Sequence, residues 1–147
     1  MIETWHDIQI AITAAGAVIG GFIGGVDGFM YTLIACIIID YITGFMVAII
    51  EKTLSSEVGF RGIFRKVCIL MLVGVANLID VNVIKNGAIL RTAVIFFYIS
   101  NEGVSILENA GMLGLPIPER LRAVLAQLRD KSEEDEGSEA DGEQQND

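Results

Sequence analysis

Asp40 asks more of its surroundings than any other residue in this chain. It is the only charge in residues 29–50, a run of 22 mostly apolar residues. A carboxyl in such a place can exchange a proton, accept hydrogen bonds from a neighbouring helix, or meet water in a lined passage. A second set, Arg91, Tyr98, Glu102, Ser105 and Asn109, recurs at offsets of 7, 4, 3 and 4, which places it along one stripe of a helix. Asn101 accompanies Glu102, while Val94, Phe96, Phe97 and Ile99 make the opposite face apolar. Covalent chemistry has no comparable support. There is no Ser/His/Asp set, no metal-ligand cluster and no phosphate-binding glycine loop followed by a lysine. His6 is the only histidine, and Cys36 and Cys68 sit in separate hydrophobic runs without a partner at ligand spacing. The expectation is a protein that is not an enzyme, with no cofactor, no metal and no nucleic-acid partner.

The elements that must position these residues are membrane spans. The chain has 147 residues, 52% of them hydrophobic, with a net charge of -9, and its mean hydropathy is +0.56. The charge is concentrated: eight of the nineteen acids follow Lys131, leaving residues 1–130 close to neutral. A helix needs about 20 apolar residues to cross a hydrocarbon layer of about 30 Å, with its backbone polar groups satisfied internally. Spans are expected at about 8–25, 29–50, 67–84 and 88–107. The first is light, rich in Ala and Gly, and either spans or lies peripherally; the second is the strongest. A cleaved leader is not expected for the first segment, because residues 1–7 contain two acids and no Lys or Arg. The fold expected is thus an all-α integral membrane protein with three to four transmembrane helices over residues 1–118. An amphipathic cytoplasmic helix should follow over 119–130, with Leu121, Val124, Leu125 and Leu128 on one face. Residues 131–147 form an acidic tail too poor in apolar residues to fold, expected to be disordered.

Basic residues orient the spans. Lys52, Arg61, Arg65 and Lys66 fall in the connection 51–66, and Arg120, Arg122, Arg129 and Lys131 follow the last span. Both regions, and so the C-terminal tail, are expected in the cytoplasm. Arg61, Arg65 and Lys66 are interleaved with Phe60, Ile63 and Phe64, so this loop either lies in the membrane surface or serves as a plain positive-inside anchor. Gly16, Gly20, Gly24 and Gly28 repeat every fourth residue, a flat face for close helix approach, either between copies or within one chain. Gly44 lies on the face of Asp40 and leaves room for another backbone. Asp40 is then either structural glue or part of a water-lined, switchable interface. The stripe from Arg91 to Asn109 is either a satisfied seam or the lining of a hole.

Several runs together carry a family resemblance: Asp40-Tyr41-Ile42-Thr43-Gly44, Ser55-Ser56, and Gly59-Phe60-Arg61-Gly62-Ile63-Phe64-Arg65-Lys66. Phe97-Tyr98-Ile99-Ser100-Asn101-Glu102-Gly103, Ser105-Ile106-Leu107-Glu108-Asn109 and Gly114-Leu115-Pro116-Ile117-Pro118 extend it. Over roughly residues 28 to 130 the chain resembles the toxin-secretion and phage-lysis holin family. The resemblance implies a non-enzymatic protein of the bacterial cytoplasmic membrane, in contact with its lipids, that forms homo-oligomers and permeabilises the membrane at a set time. A muralytic endolysin or, in some relatives, a protein toxin then escapes, with no direct binding implied. Two other functions fit the residues. One is a small ion or proton channel or transporter using Asp40 and the polar stripe. The other is a membrane assembly subunit that does not permeabilise.

Overall fold

A computed structural model describes residues 2–121 and residue 123. Four α-helices follow one another: α1 (Ile2–Phe22), α2 (Gly28–Ile50), α3 (Ser56–Ile79) and α4 (Ile89–Met112). A π-helical turn, Asp80–Ile84, extends α3. No strand occurs among the described residues. The expected helix 119–130 lies for the most part, and the acidic tail 131–147 wholly, outside them.

Each boundary has a local cause. Asp27 accepts a hydrogen bond from the Met30 amide at 2.8 Å and starts α2; the Ser55 hydroxyl does the same for Val58 and starts α3. Gly24 and Gly25, at φ of +79° and +83°, end α1 in the left-handed region where a side chain would be strained. Connections of a few residues then make α3 run antiparallel to α2 and to α4, which leaves α2 and α4 parallel. Two ends result. The α1–α2 turn meets the start of α4 at one end, and the α2–α3 loop lies at the other.

The helices α2, α3 (with its π-turn) and α4 are long and apolar enough to cross a membrane; α1, diluted by Gly and by His6, Asp7 and Gln9, is not among them. α2 packs far more extensively on α4 than on α3. Met30, Leu33 and Ile37 from α2, Ile69 and Val73 from α3, and Ile95 from α4 make the core. The outside is also apolar: Tyr31, Ile38, Ile42, Phe64, Met71, Val75 and Phe96 are all exposed. At most 33% of any span's apolar window is buried within the chain, so the remaining surface requires lipid rather than water. This is a multi-pass membrane protein in contact with lipid.

Several boundaries differ from those expected, and α1 runs over Ile2–Phe22 rather than 8–25. The third span begins at Ser56 rather than 67, shrinking the loop to residues 51–55, because the Ser55 cap starts the helix early and Gly62 accommodates the Tyr41 ring of α2. α4 continues to Met112, beyond 107. α1 holds to the bundle by its last turn, where Phe22 lies against Gly74 and Asn77 donates to the Phe22 carbonyl at 3.0 Å. A Cβ on Gly74 would stand 1.9 Å from the Phe22 ring. Gly74→Ala should therefore release that turn at a cost of about 1–3 kcal/mol. Hydrogen exchange by mass spectrometry should show residues 16–24 exchanging at least about tenfold faster, with α2 and α4 unchanged; wild-type protection there would mean the contact is not formed.

Candidate functional site

The spans hold more charge than their apolar lengths suggest, and the chain satisfies nearly all of it internally. Lys66, on α3, donates to the carboxylates of Asp40 on α2 and Glu102 on α4. One ammonium thereby bridges all three spans, with the Lys66 side chain 11% exposed and that of Glu102 1%. Around it, Asn109 donates to Asp40 Oδ1 at 3.2 Å and to Thr43 Oγ1 at 3.0 Å. One ammonium thus answers two carboxylates, which is how ionisable groups are tolerated at membrane depth.

A second cluster closes the opposite end. Arg91 Nε donates to the Ile23 carbonyl at 2.7 Å, Nη2 to the Gly25 carbonyl at 2.8 Å and Nη1 to Asp27 at 2.7 Å. The guanidinium thereby gathers the whole α1–α2 turn, and a Cβ on Gly24 would fall 2.8 Å from Arg91 Nε. Held by Arg91 and by the Met30 amide, the Asp27 carboxyl titrates below the ordinary aspartate range. Asp80, 1% exposed, accepts from the amides of Leu90 and Arg91 at 3.1 and 2.7 Å. It caps α4 from the preceding helix and meets the positive end of that helix.

The residues singled out from sequence are distributed as follows. Asp40, Glu102 and Asn109 come together. Ser105 lines a cavity of about 210 Å³ beside them, as do Gly44, Arg65 and Lys66. Gly44 lets α4 approach, with its open side 3.6 Å from the Asn109 amide. Arg91 belongs to the other cluster. Tyr98 packs on the apolar core, and the half-buried Asn101 takes part in neither cluster. Arg61 pairs with Glu57 on the exposed start of α3. Lys66 was expected in a membrane-surface loop but lies on α3 as the bridging cation, because the helix starts eleven residues earlier. Gly16, Gly20 and Gly28 have nothing within 4 Å on their open sides; of the four repeated glycines only Gly24 is packed within the chain.

Sequence reasoning missed Asp27, Asn77 and Asp80, and paired no base with Asp40. The signals were present: an Asp immediately before an apolar run is an N-cap, and acids in spans need cations. Lys66 immediately precedes the apolar run of α3, and Arg91 lies within that of α4.

A model of the bacteriophage holin family matches residues 17–130, and the chain belongs to that family. An uncharacterized protein of Clostridium perfringens is 41% identical over 126 residues, covering 85% of this chain and 93% of its own. An uncharacterized protein of Listeria monocytogenes is 40% identical over 129 residues, 88% of this chain and 91% of its own. A protein of Bacillus phage phi105 named "Probable holin" is 40% identical over 103 residues, 67% of this chain and 76% of its own. No solved structure matches. The family match takes in the end of α1 along with the three spans. Nothing in the names of these relatives concerns toxin secretion.

Removing the bridging cation tests the site. Lys66→Met leaves two buried carboxylates facing each other and should cost about 3–5 kcal/mol, read as loss of protein from the membrane fraction and lower thermal stability in detergent. Combining it with Asp40→Asn and Glu102→Gln should restore most of both. A single Lys66→Met protein as stable as its parent would show that the bridges contribute nothing.

Proposed function

We propose that this chain is a holin: it accumulates in the bacterial cytoplasmic membrane as sealed three-span subunits, associates with its own copies, and then permeabilises the membrane so that a muralytic endolysin escapes. The observation that carries this reading is the packing of the spanning charges inside one subunit, on either side of a dry layer. Leu33, Ile37, Ile69, Val73 and Ile95 separate the Lys66 triad from the Arg91 cluster. A lone subunit then offers no polar path from end to end and does no harm while it accumulates. The same polar groups sit on three helices, and α2 is only thinly packed on α3. Rearrangement among copies can therefore turn Asp40, Glu102, Ser105 and Asn109 toward a shared aqueous lesion. Gly16 and Gly20, open on α1, supply a flat face for that association. The holin family and the phage relative support this role, and it needs no catalytic residues.

The exposed cations support an orientation. Lys52, Arg61 and Arg65 collect at the α2–α3 end, while at the other end Lys85 is exposed and Arg91 is taken up by Asp27. By the positive-inside tendency the α2–α3 loop and the C-terminal segment face the cytoplasm. A proton or ion path through one subunit is the weaker reading, because the dry layer interrupts it.

Controlled expression in a bacterium, with membrane potential and a size series of cytoplasmic reporters followed together, tests the proposal. Growth should stop abruptly after a lag, the potential should collapse, and reporters as large as a muralytic enzyme should leave. Ion leakage with retention of every protein reporter would favour a channel. Unchanged growth and potential at verified membrane levels would overturn both.

A further inference from the structure

The cavity beside the triad joins two places of different polarity. At its inner end are Asp40 and Lys66; at its outer end are Leu54 and Val58, both exposed at the α2–α3 loop. Asp40 lies ten residues before the end of α2, so at 1.5 Å per residue the cavity reaches about 15 Å inward. That is about the middle of a hydrocarbon layer of about 30 Å. Its volume of about 210 Å³ accommodates several waters, each of which takes about 30 Å³ in the liquid. Room for it comes from Gly44, Gly59 and Gly62 on the facing sides of α2 and α3, where the packing of these helices is thin. Ser105, Asn109 and Arg65 also line it, and with Asp40 and Lys66 they are polar enough to hold water. Beyond the triad the way is shut by Ile37, Ile69 and Ile95, all buried.

We propose that this cavity is a blind, water-filled vestibule that gives protons access to the Asp40–Lys66–Glu102 triad from the α2–α3 side of the membrane only. The titratable and charged groups facing the triad are Asp40, Tyr41 and Cys36 from α2, Arg65 and Lys66 from α3, and Glu102 from α4. A proton arriving from the vestibule binds a carboxylate oxygen of Asp40 or Glu102. It leaves Lys66 with one anionic partner in place of two and so removes one of the two ion bridges joining the spans. Neutralisation from the opposite side is excluded by the dry layer. The tie between the helices therefore responds to the pH of a single compartment. This requires that the three helices span, and does not depend on the chain forming lesions.

Site-directed thiol labelling tests it. In a background with Cys36→Ala and Cys68→Ala, single variants Leu54→Cys, Ser105→Cys and Ile95→Cys are reacted with a charged, membrane-impermeant methanethiosulfonate. Right-side-out and inverted vesicles that retain a trapped dye are used, with Lys52→Cys and Lys85→Cys reporting the two ends. Ser105→Cys and Leu54→Cys should react from the side that labels Lys52→Cys and at least tenfold more slowly from the side that labels Lys85→Cys. Ile95→Cys should react from neither. Silence of Ser105→Cys from both sides, with Leu54→Cys reactive, would mean a dry or lipid-filled cavity and would overturn the proposal. Labelling of Ser105→Cys from the Lys85 side would overturn it equally. Neither outcome bears on whether expression lyses cells, so failure here is distinct from failure of the holin reading.

Discussion

A charge in hydrocarbon is costly unless a partner neutralises it, and this bundle is arranged around that constraint. One lysine, Lys66, answers a carboxylate on each of the two other spans. Because the bridged groups belong to three separate helices, electrostatic satisfaction and tertiary assembly are the same event. In lipid, apolar side chains gain little by leaving the bilayer for one another, since the acyl chains are as apolar as they are. The thin dry core of Met30, Leu33, Val73 and Ile95 then specifies packing, while the ion bridges determine which helices must be neighbours. Replacing such a triad by apolar residues of similar volume can be nearly neutral.

The opposite end obeys the same rule by other means. Arg91 is saturated by two backbone carbonyls and Asp27, and Asp80 by two amides of the first turn of α4. Caps, turns and charges coincide there, so the α1–α2 turn cannot be altered without disturbing the start of α4. Gly24 is part of this arrangement: its left-handed backbone and absent side chain let Asn77 and Arg91 reach the turn. The two clusters differ in their relation to water. The Arg91 cluster reaches the surface through Asp27, and the Lys66 triad lies deep beside a cavity.

Much of this was legible in the residues. Uninterrupted apolar length located the spans, because hydrogen-bond satisfaction in lipid leaves few alternatives to a helix. The stripe from Arg91 to Asn109 divides between the two clusters and the core, while Val94 and Ile99, expected on the opposite face, also pack against the core; Asp40 lies against Lys66 and Asn109. What was not legible was the pairing. Asp40 and Lys66 are 26 residues apart and Lys66 and Glu102 are 36 apart, separations that no local period connects. Lys66 was also assigned to a loop, since a run of Phe60, Arg61, Ile63, Phe64 and Arg65 reads equally as an interfacial segment and as the first turns of a span. The stop at Gly24 and Gly25 ends α1 at Phe22, where composition alone ran the segment on to residue 25.

The central claim is that Lys66 joins Asp40 and Glu102 within the bilayer. Nitrogen–carbon dipolar recoupling by solid-state NMR, on protein in lipid bilayers labelled at lysine side-chain nitrogens and carboxyl carbons, reads that contact directly. Strong coupling from the Lys66 ammonium to both carboxyl carbons, reduced by half when either Asp40→Asn or Glu102→Gln is introduced, is the predicted result. A Lys66 ammonium uncoupled from both, in membranes where the helices are shown to span, would contradict the account.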